Sequence, residues 1–520
     1  MASPHQHPAE DQAPDDDDES LLDADDAEEE IVQDDEDHPM SDDEAMDQGI
    51  QLQNDSAAYF DVHTDSIFCI AQHPTEPAII LTGGGDDVAY IWDSTPIPGP
   101  VLPSSYESNP QPKGERKGIT PISKLDGHTD SVNAVTFTLP KGEYALTAGL
   151  DGRLRAWQPT NPSITSSTYK FLAESQEVQE INWISPCPHP SYPNVIALGA
   201  NDGSVWVYQV SSDPSNHLEI LQAYYLHTES STAGSWTPDG NLLATISEDA
   251  SFYVYDPFGE ALAQGVSATN SGTQAIISLT AEDQRFAVEG GLYSIAIAPS
   301  GAFAAVGGAG GHIRVIGLPR LSVDPSSATS GQKGSGAKSK PSAAGGRKQA
   351  GSTGSSASSA GQAGTILASL QVQSDSVETL SFASPPSTLL AAGSVDGSIV
   401  LLDHVHRFAV RRHIREAHEE FAVVKVEFAR PAPNTPSSNP SNAVHILTSA
   451  GYDGVLRRWD TRGGTTAAGQ GFLKEWRGHR GDGEGGGIQG FVQAPNANGD
   501  RIITAGDDGV ALVFDAKNLV

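Results

Sequence analysis

Short apolar runs of four to six residues recur through most of the chain, separated by turns rich in Gly, Asp and Pro. VNAVTF (132–137), YALTA (144–148) and LRAW (154–157) are typical. Such runs are too short for helices and are rich in β-branched and aromatic residues, so they predict strands. The runs come in a repeating order. A turn built on Asp is followed six positions later by a residue that ends a strand: Asp86 by Trp92, Asp151 by Trp157, Asp202 by Tyr208, Asp249 by Tyr255, Asp396 by Leu402, Asp453 by Trp459 and Asp508 by Phe514. Gly310 and Ile316 form a degenerate eighth member. With inserts removed, the repeat is about 45 residues, the length of one four-stranded sheet in a propeller. The expected fold is all-β, an eight-bladed β-propeller.

Closing such a ring poses a problem at the chain ends. ALVFD (511–515) reads as the third strand of the last blade, and too little chain follows for a fourth. Residues 53–60 (QNDSAAYF) are expected to supply the missing outer strand, which removes an edge that would otherwise pair with other chains.

Charge divides the chain further. Of 67 Asp and Glu, residues 1–50 hold 21, with no Lys or Arg, leaving 46 acids against 30 bases in residues 51–520. The first 50 residues cannot bury enough apolar surface to offset ordering entropy, and they read as a disordered acidic tail. Residues 51–520 read as the propeller, with a flexible Gly/Ser-rich insert at 320–365 and smaller breaks at 94–122, 258–288 and 431–442. The excess of acid excludes a nucleic-acid binder that works through a basic surface. No run of 18 apolar residues exists, and the N-terminus lacks the basic and apolar regions of a secretion signal. Cys69 and Cys187 are too few for a disulfide framework or a cysteine zinc site. A monomeric, cytoplasmic protein is expected, with nuclear entry left open.

A His precedes the Asp turn in five repeats: His63, His128, His227, His418 and His479. Gly127–His128, Leu150–Asp151–Gly152, Trp92–Asp93 and Trp459–Asp460 resemble the Gly-His and Trp-Asp signatures of WD40 repeats. In that family the His bonds a Ser or Thr on the second strand and the Asp of the turn, and the Trp completes the network. The resemblance implies three complete tetrads: His63, Thr82, Asp86, Trp92; His128, Thr147, Asp151, Trp157; and His418, Ser449, Asp453, Trp459. Tyr255 and Phe514 replace Trp in the sets of His227 (Thr245, Asp249) and His479 (Thr504, Asp508), and repeats three, five and six lack the His.

The chemistry of a catalyst is missing. His, Ser/Thr and Asp recur at fixed repeat positions, which suits a structural network better than an active site. No nucleophile elbow or phosphate-binding loop occurs. Gly83–Gly85 and Gly307–Gly311 lie where turns belong and are expected to supply positive φ. Cys187 and His189 have no second pair to complete a metal site. No enzyme activity, cofactor or metal is expected.

The informative feature is acid at the loops leading into the blades. Asp65, Asp130, Glu174, Glu177, Glu180, Glu229, Asp375, Glu419, Glu420, Asp482 and Glu484 are expected to project toward one face and to capture a basic peptide. One exposed ion pair contributes only about 0.2–1 kcal/mol, but several on one groove give affinity and fast, salt-sensitive association.

NDSAAYFDVHTDSIFCIAQHP (54–74), ILTGGGDDVAYIWD (80–93) and EGGLYSIAIAPSGAFAAVGGAGGHIRVIGL (289–318) resemble the angio-associated migratory cell protein family. Its fungal branch is the dedicated chaperone of a large-subunit ribosomal protein, the universal L-sixteen type (L-ten in older naming). The resemblance implies co-translational capture of that protein's basic N-terminal segment and its delivery to a pre-large subunit. It implies no direct nucleic-acid or membrane contact. The alternative is a general scaffold or adaptor in signalling or ubiquitin ligation.

Overall fold

The computed structural model describes residues 54–96, 118–161, 167–266, 274–321, 362–430, 442–462, 471–480, 486–493 and 500–516. The acidic tail and all but the ends of the 320–365 insert lie outside them. Thirty-two strands among the described residues form eight four-stranded antiparallel sheets. The innermost strands, in blade order, are Ile67–Gln72, Val132–Phe137, Ile181–Pro186, Ser231–Trp236, Leu292–Ile297, Val377–Phe382, Val423–Phe428 and Ile488–Gln493. Each packs on the next, and the last packs on the first, so the sheets close an eight-bladed propeller.

Stacking explains why the middle strands read as continuous apolar runs. Ile79–Gly84 and Val195–Ala200 are buried at every position, because a blade has a neighbour on both faces. The core therefore lies between blades: Ile79, Leu81 and Ile91 of blade 1 pack on Val132, Val135 and Phe137 of blade 2. Outermost strands have solvent on one side, as the alternating burial of Ile366–Gln371 shows. Pro121 begins an outermost strand, the position where a missing N–H costs no ladder bond.

The ring is closed by Ala58–Phe60, which pairs antiparallel with Ala511–Asp515 through Ala58↔Val513, Tyr59↔Leu512 and Phe60↔Ala511. The paired part is three residues rather than the eight of 53–60. Asp55 N–H still bonds Arg477 O at 2.8 Å, and Ser56 turns back on Asn54. The break expected at 258–288 is also interrupted. It contains the short helix Glu260–Ala263 and the outermost strand of blade 4, Ala275–Leu279, whose apolar AII the turn-based reading passed over.

All eight innermost strands carry a β-bulge at the same place. The pairing skips Phe68, Asn133, Asn182, Thr232, Tyr293, Glu378, Val424 and Gln489. A bulge re-aims the residue it contains. Here it sets one residue per blade at the same level of the central channel.

Glycine serves two purposes. Gly152 (φ 73°) lies in the Asp151 turn, where a Cβ would sit 2.1 Å from Val178 O of the next blade. Gly83 and Gly84 do not have positive φ. They lie within a strand, and close approach excludes a side chain: a Cβ on Gly83 would meet Val132 Cγ1 at 2.6 Å.

Candidate interaction face

Antiparallel order sorts the loops. The loop into each innermost strand and the loop joining the second and third strands both lie at one end of a blade. Since all blades run alike, these loops make one face of the ring. They also touch across blades: Ser66 Oγ donates to Asp507 O at 2.8 Å, joining blade 1 to blade 8.

The His networks pin this face. In blade 2, Trp157 Nε1–H donates to Thr147 Oγ1 (3.1 Å), which lies 2.8 Å from His128 Nε2, and His128 Nδ1 is 3.1 Å from Asp151. An indole can only donate, so Thr147 gives its own proton to Nε2 and Nδ1–H is left for Asp151. Every member is then satisfied. Burial holds His128 below its ordinary pKa although Asp151 pulls the other way. Burial pushes Asp151 up, but bonds from Thr129 N–H, Arg153 N–H and His128 outweigh it and leave the carboxyl low. A neutral imidazole beside an ionised carboxylate is the result.

Blade 1 repeats the arrangement, with His63 at 2.9 Å from Asp86 and 3.0 Å from Thr82, and Trp92 donating to Thr82 at 3.3 Å. So does blade 7, with His418 at 2.9 Å from Asp453 and 2.7 Å from Ser449, and Trp459 donating to Ser449 at 2.9 Å. Arg457 adds an ion pair to Asp453. In blade 8, His479 meets Asp508 (3.0 Å) and Thr504 (2.7 Å), and Phe514 offers no donor.

Blade 4 departs from the pattern. His227 Nδ1 lies 2.6 Å from Ser251 Oγ, and Asp249 is 3.8 Å away. Asp249 instead accepts Thr228 N–H and Ser251 N–H. The Ser after the turn reaches the imidazole first.

Blades without the His differ in what stands in its place. In blade 6, Gln373 takes its place and donates to Ser398 O at 3.0 Å, while Ser374 N–H bonds Asp396. The Ser-Asp-Ser that follows Gln373, parallel to the Thr-Asp-Ser after His63, was the available signal. In blade 3 the position four residues before the innermost strand is the exposed Glu177, and the blade is braced elsewhere: Trp183, within that strand, donates to Ser231 Oγ (3.2 Å) from a slot between Gly199 and Gly234, where a Cβ would come within 2.2 Å of the indole. In blade 5, buried Val288 joins the apolar core.

Every blade contributes at least one carboxylate to the loops of this face. Asp65, Asp130, Glu177, Glu229, Asp375, Glu419 and Glu420 are exposed there, and Glu180 is half-buried. Asp65, Asp130 and Asp375 are held alike, each accepting the N–H of the following Ser at 2.7–2.8 Å. The acids also feel one another. Burial, then Asp130, Asp86 and Asp151, raise the Asp87 carboxyl above its ordinary pKa. Asp87, Glu248 and Glu378 escaped the sequence reading, the first two because only the residue after His was followed. Glu378 is aimed by its bulge, which no local pattern announces.

Glu174 is placed differently from expectation. It lies on the outermost strand Tyr169–Ser175 and is engaged by Arg155 and, at 3.8 Å, by Arg153. Its charge is already partnered. Asp482 and Glu484 lie outside the described residues. At the opposite face some acids have cations, as in Lys141–Glu143 (3.6 Å), Asp403–Arg411 (2.6 Å) and Asp460–Arg462 (2.7 Å), and others, such as Asp213 and Asp239, accept the N–H of Ser215 and Asn241.

Cys187 is buried, its thiol pushed up to about 12 by burial, and Cys69 is raised by the same cause. No His, Cys, Asp and Glu cluster among the described residues could hold a metal. No helix among them is long and apolar enough to cross a membrane.

The WD domain, G-beta repeat family matches residues 55–93 and 119–158. The chain is 31% identical over 245 residues to the ribosome assembly protein SQT1 of Saccharomyces cerevisiae, covering 46% of this chain and 50% of that one. It is 24% identical over 203 residues to human angio-associated migratory cell protein, covering 39% and 38%. These matches span about half or less of each relative's length. The crystal structure of Chaetomium thermophilum Sqt1 bound to the N-terminus of ribosomal protein L10 superposes with a TM-score of 0.72. At 47% identity it covers 89% of this chain and 100% of that one.

Proposed function

The chain belongs to the Sqt1 family of WD-repeat propellers, and from that premise we propose that it is a ribosome-assembly chaperone without enzymatic activity. Its client is ribosomal protein L10, whose N-terminal segment it captures during translation, in the cytoplasm, and delivers to the pre-large subunit. The observation that carries this reading is the ring of acid at one end. Every blade places at least one carboxylate on the loops of that end, and Asp65, Asp130, Glu177, Glu229, Asp375, Glu419 and Glu420 are exposed there. A basic segment emerging from the ribosome is attracted at long range by such a face, and the rigid loops hold the carboxylates in place for it.

Asp65, Asp130, Glu177, Glu180, Glu229, Asp375, Glu419 and Glu420 are the proposed contacts. Asp130→Lys with Glu229→Lys tests them, since both side chains are exposed, and circular dichroism of the variant confirms that the fold survives. Titration with an L10 N-terminal peptide at two salt concentrations should show at least a roughly tenfold loss for the double variant, and a steep salt slope for the native protein. Unchanged affinity with unchanged slope would remove this face from consideration. Purification from translating cells should recover the L10 messenger RNA through its nascent chain, and recovery of many unrelated partners instead would favour a general adaptor.

A further inference from the structure

Two of the eight bulge residues are aromatic, Phe68 in blade 1 and Tyr293 in blade 5. Four blades apart in a ring of eight, they stand on opposite sides of the channel mouth. Phe68 is 39% exposed. Its ring edge and the Asp65 carboxylate approach the same point above Gly85, to 3.3 and 3.0 Å. An exposed aromatic ring and a carboxylate therefore adjoin. Asp65 Oδ1 accepts Ser66 N–H, and no Lys or Arg among the described residues forms an ion pair with Asp65.

Tyr293 has similar company. Glu248 of the blade 4 turn lies against Gly291, two residues before Tyr293, where a Cβ would meet the Glu248 Cα at 3.0 Å; burial, then Glu248 and Glu378 of the blade 6 bulge, raise the Tyr293 hydroxyl. That hydroxyl donates to Gly290 O, which anchors the ring. Elsewhere in this molecule the same grouping is filled from within. Arg155 lies 4.6 Å from the centre of Phe171 and 5.4 Å from that of Trp157 while it pairs with Glu174. A lysine occupies a similar grouping, Lys425 lying 5.0 Å from the centre of Phe491 and 3.4 Å from Glu427, so any preference for arginine comes from the guanidinium's own shape and hydration.

We propose that Phe68 with Asp65, and Tyr293 with Glu248 and Glu378, are two guanidinium subsites on opposite sides of the mouth, so that this face reads arginine rather than positive charge in general. The inference rests on the peptide-binding reading above and sharpens it. A guanidinium is planar and weakly hydrated. It can lie on a ring and fork to a carboxylate at once, which an ammonium cannot do as well. The surrounding acids attract either cation, and the two rings distinguish them.

The test uses the full chain and two peptides, the L10 N-terminal segment and its counterpart with every Arg changed to Lys. The native protein should bind the arginine peptide more tightly, by about fivefold for each ring engaged. Phe68→Leu and Tyr293→Leu should each lower affinity for the arginine peptide by that factor and leave the lysine peptide unaffected. Tyr293→Phe keeps the ring and should keep the discrimination. The salt slope should not change in any of these variants, since no charge is altered. Equal binding of both peptides by the native protein would overturn the inference while leaving the chaperone reading intact, as would discrimination that survives loss of both rings. Failure of the native protein to bind either peptide would overturn the chaperone reading and this inference together.

Discussion

Replacing Thr147 by Val probes the blade 2 network at its centre. Val has nearly the same shape, so packing is preserved and only the hydroxyl is lost. Two buried groups are then stranded: the Trp157 indole N–H, 3.1 Å from the hydroxyl, and His128 Nε2, 2.8 Å from it. Trp157 and His128 are only 4% and 6% exposed, so water cannot replace the missing atom. At about 1–3 kcal/mol for each stranded group, the loss is about 2–6 kcal/mol. Trp157→Phe is milder, because Thr147 can still donate to His128 and only one neutral bond disappears, about 1 kcal/mol plus some packing. Blade 8 already tolerates that state, with Phe514 in the Trp position. The double variant strands one group instead of two, so it should be more stable than additivity predicts, by about 1–2 kcal/mol. For a propeller of this size, unfolding entropy near about 2.1 cal/mol/K per residue makes each kcal/mol worth about 1 °C. Scanning calorimetry of the three variants, with hydrogen exchange of blade 2 amides, reads the effect. Strict additivity, or a Thr147→Val cost no larger than that of an exposed substitution, would refute the network account.

Acidification should destabilise the ring in two steps. Burial keeps His128 and His418 below 6.5 in the folded state, so their contribution is complete above pH 6.5 and fades as pH falls below it. Asp86, Asp151 and Asp453 are held below 3.8, and their share is lost only under stronger acid. Urea midpoints at pH 7.5, 5.5 and 4 should fall in that order, and a flat profile between the first two would count against the neutral-imidazole assignment. Gly152→Ala should cost at least roughly 2 kcal/mol, because strain at positive φ adds to a clash with Val178 O. Gly259→Ala, also at positive φ but with nothing within 4 Å, should cost about 1 kcal/mol, and thermal midpoints compare the two. Deleting residues up to Phe60 should expose the Ala511–Asp515 edge and yield oligomers by size-exclusion chromatography, whereas a well-behaved monomer would show that the closing strand is dispensable.

Some features were legible because they are local. The six-residue offset from Asp turn to strand end is fixed by one tight turn and one strand, so it survives inserts of any length between repeats. Counting those turns gives eight blades. The His, Thr and Trp of blades 1, 2 and 7 could be aligned by that frame, and the loops after each His could be assigned to one end because antiparallel strands alternate direction.

Other features depend on a neighbour and leave little local trace. Whether His227 meets Asp249 or Ser251 is settled by a few tenths of an ångström in the turn. Glu174 reads like its fellow acids until the third strand brings Arg155 beside it. Gln373 fills the place of a missing His only because the adjoining strand offers an acceptor, and Trp183 reaches Ser231 only through a slot between two glycines. The bulges that set Phe68, Tyr293 and Glu378 around one channel lie where the innermost strand carries one residue more than the second strand it pairs with. Short-range turn and strand preferences therefore fixed the number of blades and their order. Packing between blades, which brings together residues far apart in the chain, decided which side chains line the mouth and which carboxylates remain unpaired there.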